Sequence, residues 1–359
     1  MTLSKKIFVA VLALTLLAPA TAATAGKKRK TKNVDVTVMS RNLYLGADII
    51  KLATARDRAE FERNATALFN TVTQTDFKSR APLIADEIKR NKPDFVGLQE
   101  VALWRQGPKD GSATQATDVV YDWLADLNAA LRAKGLRYKV VRTQTEFDFE
   151  GPTSQGRDIR FTQQDAILMR VNRNVKARKV KSGNFDKSFQ VPLNSIGQVA
   201  DVKRGFVSLD GNVKGAKFRF VNTHLEAYSE ADGLAQAKEL TARGGPARYR
   251  GQTFLVGDMN SERGTESNDD AIKHLLGFGF SDSFFRKTRR NVFTCCQPET
   301  INNAQSELKS RIDFVLDKPK AKIVSSKVVG NDPDIKTSSG LWPSGHAGVV
   351  TKFRMKVKR

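Results

Sequence analysis

The chain has only two cysteines, Cys295 and Cys296, and they are adjacent. A disulfide framework and a cysteine-rich metal cluster are therefore excluded, and the pair stands either as a vicinal disulfide or as two separate thiols. Histidine is also scarce: His224, His274 and His346 are the only three. The sequence lacks the Gly-x-Ser-x-Gly elbow of serine hydrolases and the His-Glu-x-x-His helix of zinc hydrolases. It has no internal repeat and no Pro/Ser/Gly-rich linker. Acidic residues are in deficit, 38 against 60 Lys and Arg, for a formal net charge of +22.

The start of the chain carries Lys5 and Lys6, an apolar run from Ile7 to Leu17, and small residues through Ala25. That order is expected of a secretory signal peptide over residues 1–25, with Ala23-Thr24-Ala25 as the first candidate cleavage site and Ala20-Thr21-Ala22 as the second; the apolar run is too short to span a bilayer comfortably. Residues 26–33, rich in Lys and Arg, are expected to be a disordered basic leader, and residues 34–359 a single domain. After cleavage the formal charge is still +20, because only two lysines are lost. A soluble, secreted, monomeric protein is expected, with no transmembrane segment. Its field draws polyanions such as nucleic acid or anionic lipid.

Along the chain, apolar strand patterns repeatedly end in polar residues. Val34, Val36 and Val38 alternate with Asp35 and Thr37 before Ser40-Arg41-Asn42. The run Asp94 to Gln99 ends in Glu100, which suits either a cation ligand or a rim carboxylate paired with lysine. A hairpin over residues 203–228 is expected to turn at Asp210-Gly211-Asn212 and to end in Asn222-Thr223-His224. Phe254 to Val256 lead into Gly257-Asp258-Met259-Asn260. Asp313, embedded in Arg311 to Asp317, needs a buried partner, and His346 in Ser344-Gly345-His346 supplies it. Helices are expected at residues 57–72, 80–91, 117–134, 233–240 and 268–277, strands at 138–143 and 164–169, and an exposed loop at 150–160. His274 falls on the polar side of its helix and carries no assigned function.

Taken in order, these strand-end motifs resemble those of the endonuclease/exonuclease/phosphatase superfamily, over about residues 34–355. The resemblance implies an α/β fold, a four-layer α/β/β/α sandwich with two packed, mainly antiparallel sheets. It implies a metal-dependent phosphoric ester hydrolase using Mg²⁺ or Mn²⁺, with Glu100 as metal ligand and Asn42 beside it. Asp258 would orient or help deprotonate the attacking water, Asn260 would hold the phosphate and His224 would bond a phosphoryl oxygen. His346 would be the general base, made more basic by Asp313. The family pattern before the last histidine is Ser-Asp-His, whereas this chain has Gly345, which implies a weakened metal site. DNA is the expected substrate, with low sequence preference. The alternatives are a sphingomyelinase-like lipid phosphodiesterase or a phosphomonoesterase, and thirdly an inactive polyanion binder. Arg160 and Trp342 are expected to touch substrate.

Overall fold

The computed structural model describes residues 31–110, 116–264 and 268–358. The expected signal peptide and most of the basic leader lie outside these residues. The strands are β1 (Thr31–Asn42), β2 (Phe95–Pro108), β3 (Asp118–Asp122), β4 (Tyr138–Pro152), β5 (Arg157–Arg170), β6 (Val175–Leu193), β7 (Gln198–Val213), β8 (Ala216–His224), β9 (Thr253–Asp258), β10 (Ser281–Asp282), β11 (Asp313–Lys318), β12 (Lys322–Val329) and β13 (Gly348–Lys358). The helices are α1 (Arg58–Gln74), α2 (Phe77–Asn91), α3 (Trp123–Ala133), α4 (Glu230–Thr241), α5 (Asp270–Gly277) and α6 (Ser283–Thr288).

The strands form two sheets. One runs β12-β13-β1-β2-β5-β4, with β3 paired to β2; the other runs β10-β11-β9-β8-β7-β6. Each is antiparallel except for one central parallel pair, β1 with β2 and β8 with β9. Period-2 alternation explains the layering. Val34, Val36, Phe218, Phe220, Phe254 and Val256 face the space between the sheets. Met39 and Leu98 face the other way, onto Ala81 and Ile84 of α2. Val221 and Leu255 likewise meet Leu240 of α4 and Ile272 of α5. Helices thus cover the outer face of each sheet, giving the expected four layers.

Local chemistry sets the boundaries. Asp57 caps α1 by accepting from Glu60 N at 2.7 Å. Lys92, in the left-handed conformation before Pro93, ends α2.

Several sequence expectations need correction. Residues 118–122 are strand, not helix, because Asp118, Val119, Tyr121 and Asp122 pair with β2, around a bulge at Val120, and leave α3 to begin at Trp123. The stretch 150–160 is mostly the ends of β4 and β5, which pair directly from Glu150–Arg160 to Pro152–Asp158. The β7–β8 turn falls at Lys214-Gly215 rather than at residues 210–212, which pair with β8. β1 begins at Thr31, three residues inside the expected leader, by pairing with Lys358 and Val357 of β13.

Candidate active site

The two parallel pairs place their strand ends at one edge of the sandwich. Asn42 ends β1, His224 and Asp258 are register partners at the ends of β8 and β9, and Asp313 opens β11 opposite Asp258. Gly257 lets this packing happen: at φ +155° a Cβ there would stand 2.0 Å from Thr223 O. Glu100 is aimed by a β-bulge, the register shift between Leu98 and Val101, and sits at φ +53°. His346 approaches two residues before β13. Its carbonyl accepts from the buried Arg41 guanidinium, which is itself paired to Glu87 at 2.9 Å. Arg80 holds the same loop by donating to Pro343 O at 3.0 Å.

Hydrogen bonds join the six residues. The Asn42 amide nitrogen donates to Glu100 Oε1 at 2.8 Å and to Asp258 Oδ2 at 3.0 Å. The second Glu100 oxygen accepts from Leu45 N at 2.7 Å. His346 Nδ1 lies 3.0 Å from Asp313 Oδ2 and 3.5 Å from Asp258 Oδ2. Asn260 donates from its backbone to Asp258 Oδ1 at 3.0 Å, and its side-chain nitrogen lies 3.0 Å from His224 Nε2.

The electrostatics follow from crowding and burial. Burial alone depresses the His346 imidazole, but the charge of Asp313 and its hydrogen bond outweigh this and raise the pKa to about 9. Burial, then the neighbouring Asp313, pushes Asp258 up to about 7. His224 is held well below its ordinary value by burial, then by Arg204 and His346. Its Nδ1 lies 3.2 Å from the Arg204 guanidinium, so protein donors already face both ring nitrogens.

A hard divalent cation fits this donor set. Glu100 and Asp258 bring carboxylate oxygens within 4.8 Å of one another, and the nearby Asp313 has one buried oxygen without a hydrogen-bond partner. Carboxylates forced together in this way match the chemistry of Mg²⁺ or Mn²⁺. Asn42 departs from its expected place as a ligand. Its oxygen accepts from Tyr44 N at 2.8 Å, so its nitrogen, a donor, faces the carboxylates.

Two expected substrate contacts are not at the site. Trp342 is fully buried and donates to Asn303 O at 2.9 Å, within a small cluster with Ile301 and Leu341. Arg160 is paired with Asp148, outside the lining of the cavity that holds Glu100, His224, Asp258, Asn260 and His346.

Other residues belong to the site without having been singled out. Arg204 is buried between Glu226, at 3.3 Å, and Glu146, at 3.8 Å. Glu146 is raised to about 8 by burial. Asp165 accepts from Asn222 at 3.3 Å and is raised well above the carboxylate range by burial, then by Glu146. Asp165 directly precedes the apolar Ala166-Ile167-Leu168, the same signal of an acid beside a buried strand that marks Glu100. Cys295 and Cys296 form a disulfide, with sulfurs 3.6 and 3.9 Å from His346 Nε2.

No family model matches the sequence, and no curated protein matches it. Solved structures do. An endonuclease/exonuclease/phosphatase family protein from Bacteroides thetaiotaomicron aligns at TM-score 0.56 and 16% identity, over 90% of this chain and 99% of that one. A mannosyl-6-phosphatase of the same organism aligns at 0.54 and 18%, over 89% and 99%. A humanised D. rerio TDP2 aligns at 0.52 and 15%, over 89% and 98%. The two packed sheets and their covering helices thus have the fold of the endonuclease/exonuclease/phosphatase proteins.

Proposed function

We propose that this protein is a divalent-metal-dependent phosphoric ester hydrolase. The observation that carries this reading is the Asn42 amide nitrogen joining Glu100 to Asp258, while His346, on the same edge, bonds Asp313. One polar cluster thereby offers carboxylate oxygens for a cation, a base and a charged hydrogen-bond donor.

Glu100 would hold the cation, with Asp258 beside it. When bound, Mg²⁺ or Mn²⁺ neutralises phosphoryl oxygens and the charge that builds on them. Asp258, with a pKa of about 7, suits the base that takes a proton from the attacking water. The water oxygen forms a bond to phosphorus as the ester P–O bond breaks, and the departing oxygen takes up a proton. His346, near 9, is protonated at neutral pH. It therefore serves as an imidazolium donor to a phosphoryl or leaving oxygen rather than as the base that the sequence suggested. Asp313 orients it. Asn260, fixed through its own backbone to Asp258, lines the phosphate position with His224.

Export rests on residues 1–25. Nucleic acid as substrate rests on the net charge of +22. The test is turnover of bis(p-nitrophenyl) phosphate, p-nitrophenyl phosphate and plasmid DNA with Mg²⁺, Mn²⁺ or EDTA, in the wild type and in Glu100→Gln and His346→Ala. Metal-dependent cleavage lost in both variants supports the reading. A wild type that turns over none of them with either metal, yet binds DNA, is a polyanion binder instead.

A further inference from the structure

The catalytic residues occupy one end of a cavity of about 460 Å³, within the range of roughly 300–1,000 Å³ usual for small-molecule sites. The rest of that cavity is walled by carbon. Leu52, Phe61 of α1, Phe149 of β4, Phe161 of β5, Leu193 of β6 and Val202 of β7 enclose it. The wall draws on both sheets. β4 is the edge strand of one sheet and β6 of the other. The tip of the β6–β7 hairpin, at Asn194–Ile196, reaches across to α1 beside it.

Charge sharpens the contrast with the exterior. Among the described residues lining the cavity, Arg204 is the only Lys or Arg, and it is already ion-paired with Glu226. The mouth adds Asp48 and Glu299, which are acidic. Apart from His346 at the catalytic end, a polyanionic backbone therefore finds no basic partner inside, despite the net charge of the chain. An apolar wall offers water no hydrogen bonds, so carbon is the favourable occupant.

We propose that the substrate of this site is a phosphoester bearing an apolar alkyl or acyl chain. The phosphate meets Glu100, Asp258 and His346, and the chain lies between α1, β4 and the β6–β7 hairpin. The proposal rests on the phosphoesterase reading and gives that reading its substrate class.

The test uses the Mn²⁺-loaded protein and a series of p-nitrophenyl phosphodiesters whose second ester group is methyl, butyl, octyl or dodecyl, each kept below its micelle concentration. Water attacks phosphorus, the bond to the nitrophenyl oxygen breaks, and nitrophenolate is read directly. In parallel, binding of the matching alkyl phosphates is measured by calorimetry, which needs no turnover. Each methylene that leaves water contributes about 0.8 kcal/mol, so kcat/KM and affinity should rise about fourfold per added carbon until the cavity is full. Ala200→Phe, which places a ring in the cavity, should bring the octyl-to-methyl ratio down towards one. The wild-type series decides the matter even if that variant does not fold. Flat chain-length dependence in both turnover and binding overturns the proposal and leaves the hydrolase standing. Chain-length-dependent binding with no turnover supports the cavity and overturns the hydrolase. Plasmid DNA cleaved more efficiently than the octyl ester overturns the substrate class.

Discussion

The ring of Tyr44 fills the space beside Gly345: a Cβ on Gly345 would stand 3.1 Å from both Cγ and Cδ2 of that ring. Tyr44 is fixed there by three observations. Its hydroxyl donates to Glu299 O at 2.7 Å, its backbone nitrogen donates to Asn42 Oδ1 at 2.8 Å, and its φ is +61°. Gly345 and Tyr44 are therefore one packing arrangement.

Restoring the acid alone should fail. Gly345→Asp forces the Tyr44 ring aside and should cost about 1–3 kcal/mol, the usual penalty of overpacking. It should also raise the Mg²⁺ requirement by disturbing Asn42. The double variant Tyr44→Ala, Gly345→Asp should recover stability relative to Gly345→Asp and turn over at lower Mg²⁺. Melting temperatures and Mg²⁺ titrations of all four proteins form the cycle. An unchanged melting temperature in Gly345→Asp, with activity at lower Mg²⁺, would show that the ring yields freely.

Glu100 should report the cation without any substrate. With both its oxygens held by Asn42 and Leu45, it is preset to accept a cation rather than to pair with a surface lysine. Removing a group that merely supports a ligand costs about 10–100-fold in metal affinity, so removing the ligand in Glu100→Gln should cost more than about 100-fold. Mn²⁺ at a hundred times its dissociation constant stabilises a folded protein by about 2.7 kcal/mol. Mn²⁺ should accordingly raise the melting temperature of the wild type and leave that of Glu100→Gln nearly still. Equal shifts in the two proteins would place the cation elsewhere.

The polar cluster was legible because each of its residues adjoins an apolar run, and a parallel pair in each sheet brings strand ends to one edge. Asn42, Glu100, His224, Asp258, Asp313 and His346 were all visible in that way. The proton role of His346 was not, because its basicity depends on how closely Asp313 lies beside it. Arg204 and Glu146 were hidden because the ion pair joins strands far apart in sequence. Strand β3 was missed because Val119 and Val120 match a helical spacing with Leu127 and Leu131. Instead Val119 pairs with β2 and Val120 sits at a bulge in that pairing, 59% and 38% exposed. The apolar wall had no local signal at all, since it exists only where the β6–β7 tip crosses to α1.

The Asp313–His346 pair should make the metal-free protein sensitive to alkaline pH. Burial opposes the charged imidazole, yet Asp313 raises its pKa from 6.5 to about 9. A raised folded-state value means that the stabilisation is fully present below about pH 6.5 and is lost as pH rises through about 9. The shift corresponds to about 3 kcal/mol. In EDTA the melting temperature should fall across that window. In Asp313→Asn the fall should be much shallower, while the melting temperature at pH 6 should already be lower. Parallel pH profiles for the two proteins would dissociate His346 from this pair.

Asn42 makes the opposite demand on charge. It donates to two carboxylates, so Asn42→Asp exchanges two hydrogen bonds to anions for a further anion beside them. In EDTA the variant should be less stable by about 2–4 kcal/mol, since hydrogen bonds to charged groups contribute about 1.5–3 kcal/mol each and relaxation recovers part. A divalent cation then has one more carboxylate to neutralise. Mn²⁺ should therefore raise the melting temperature of Asn42→Asp by more than it raises that of the wild type, although turnover falls because Asp258 is displaced from Asn260. Thermal melts with and without Mn²⁺ check both halves. A variant as stable as the wild type in EDTA would mean that the Asn42 amide does not hold the carboxylates together.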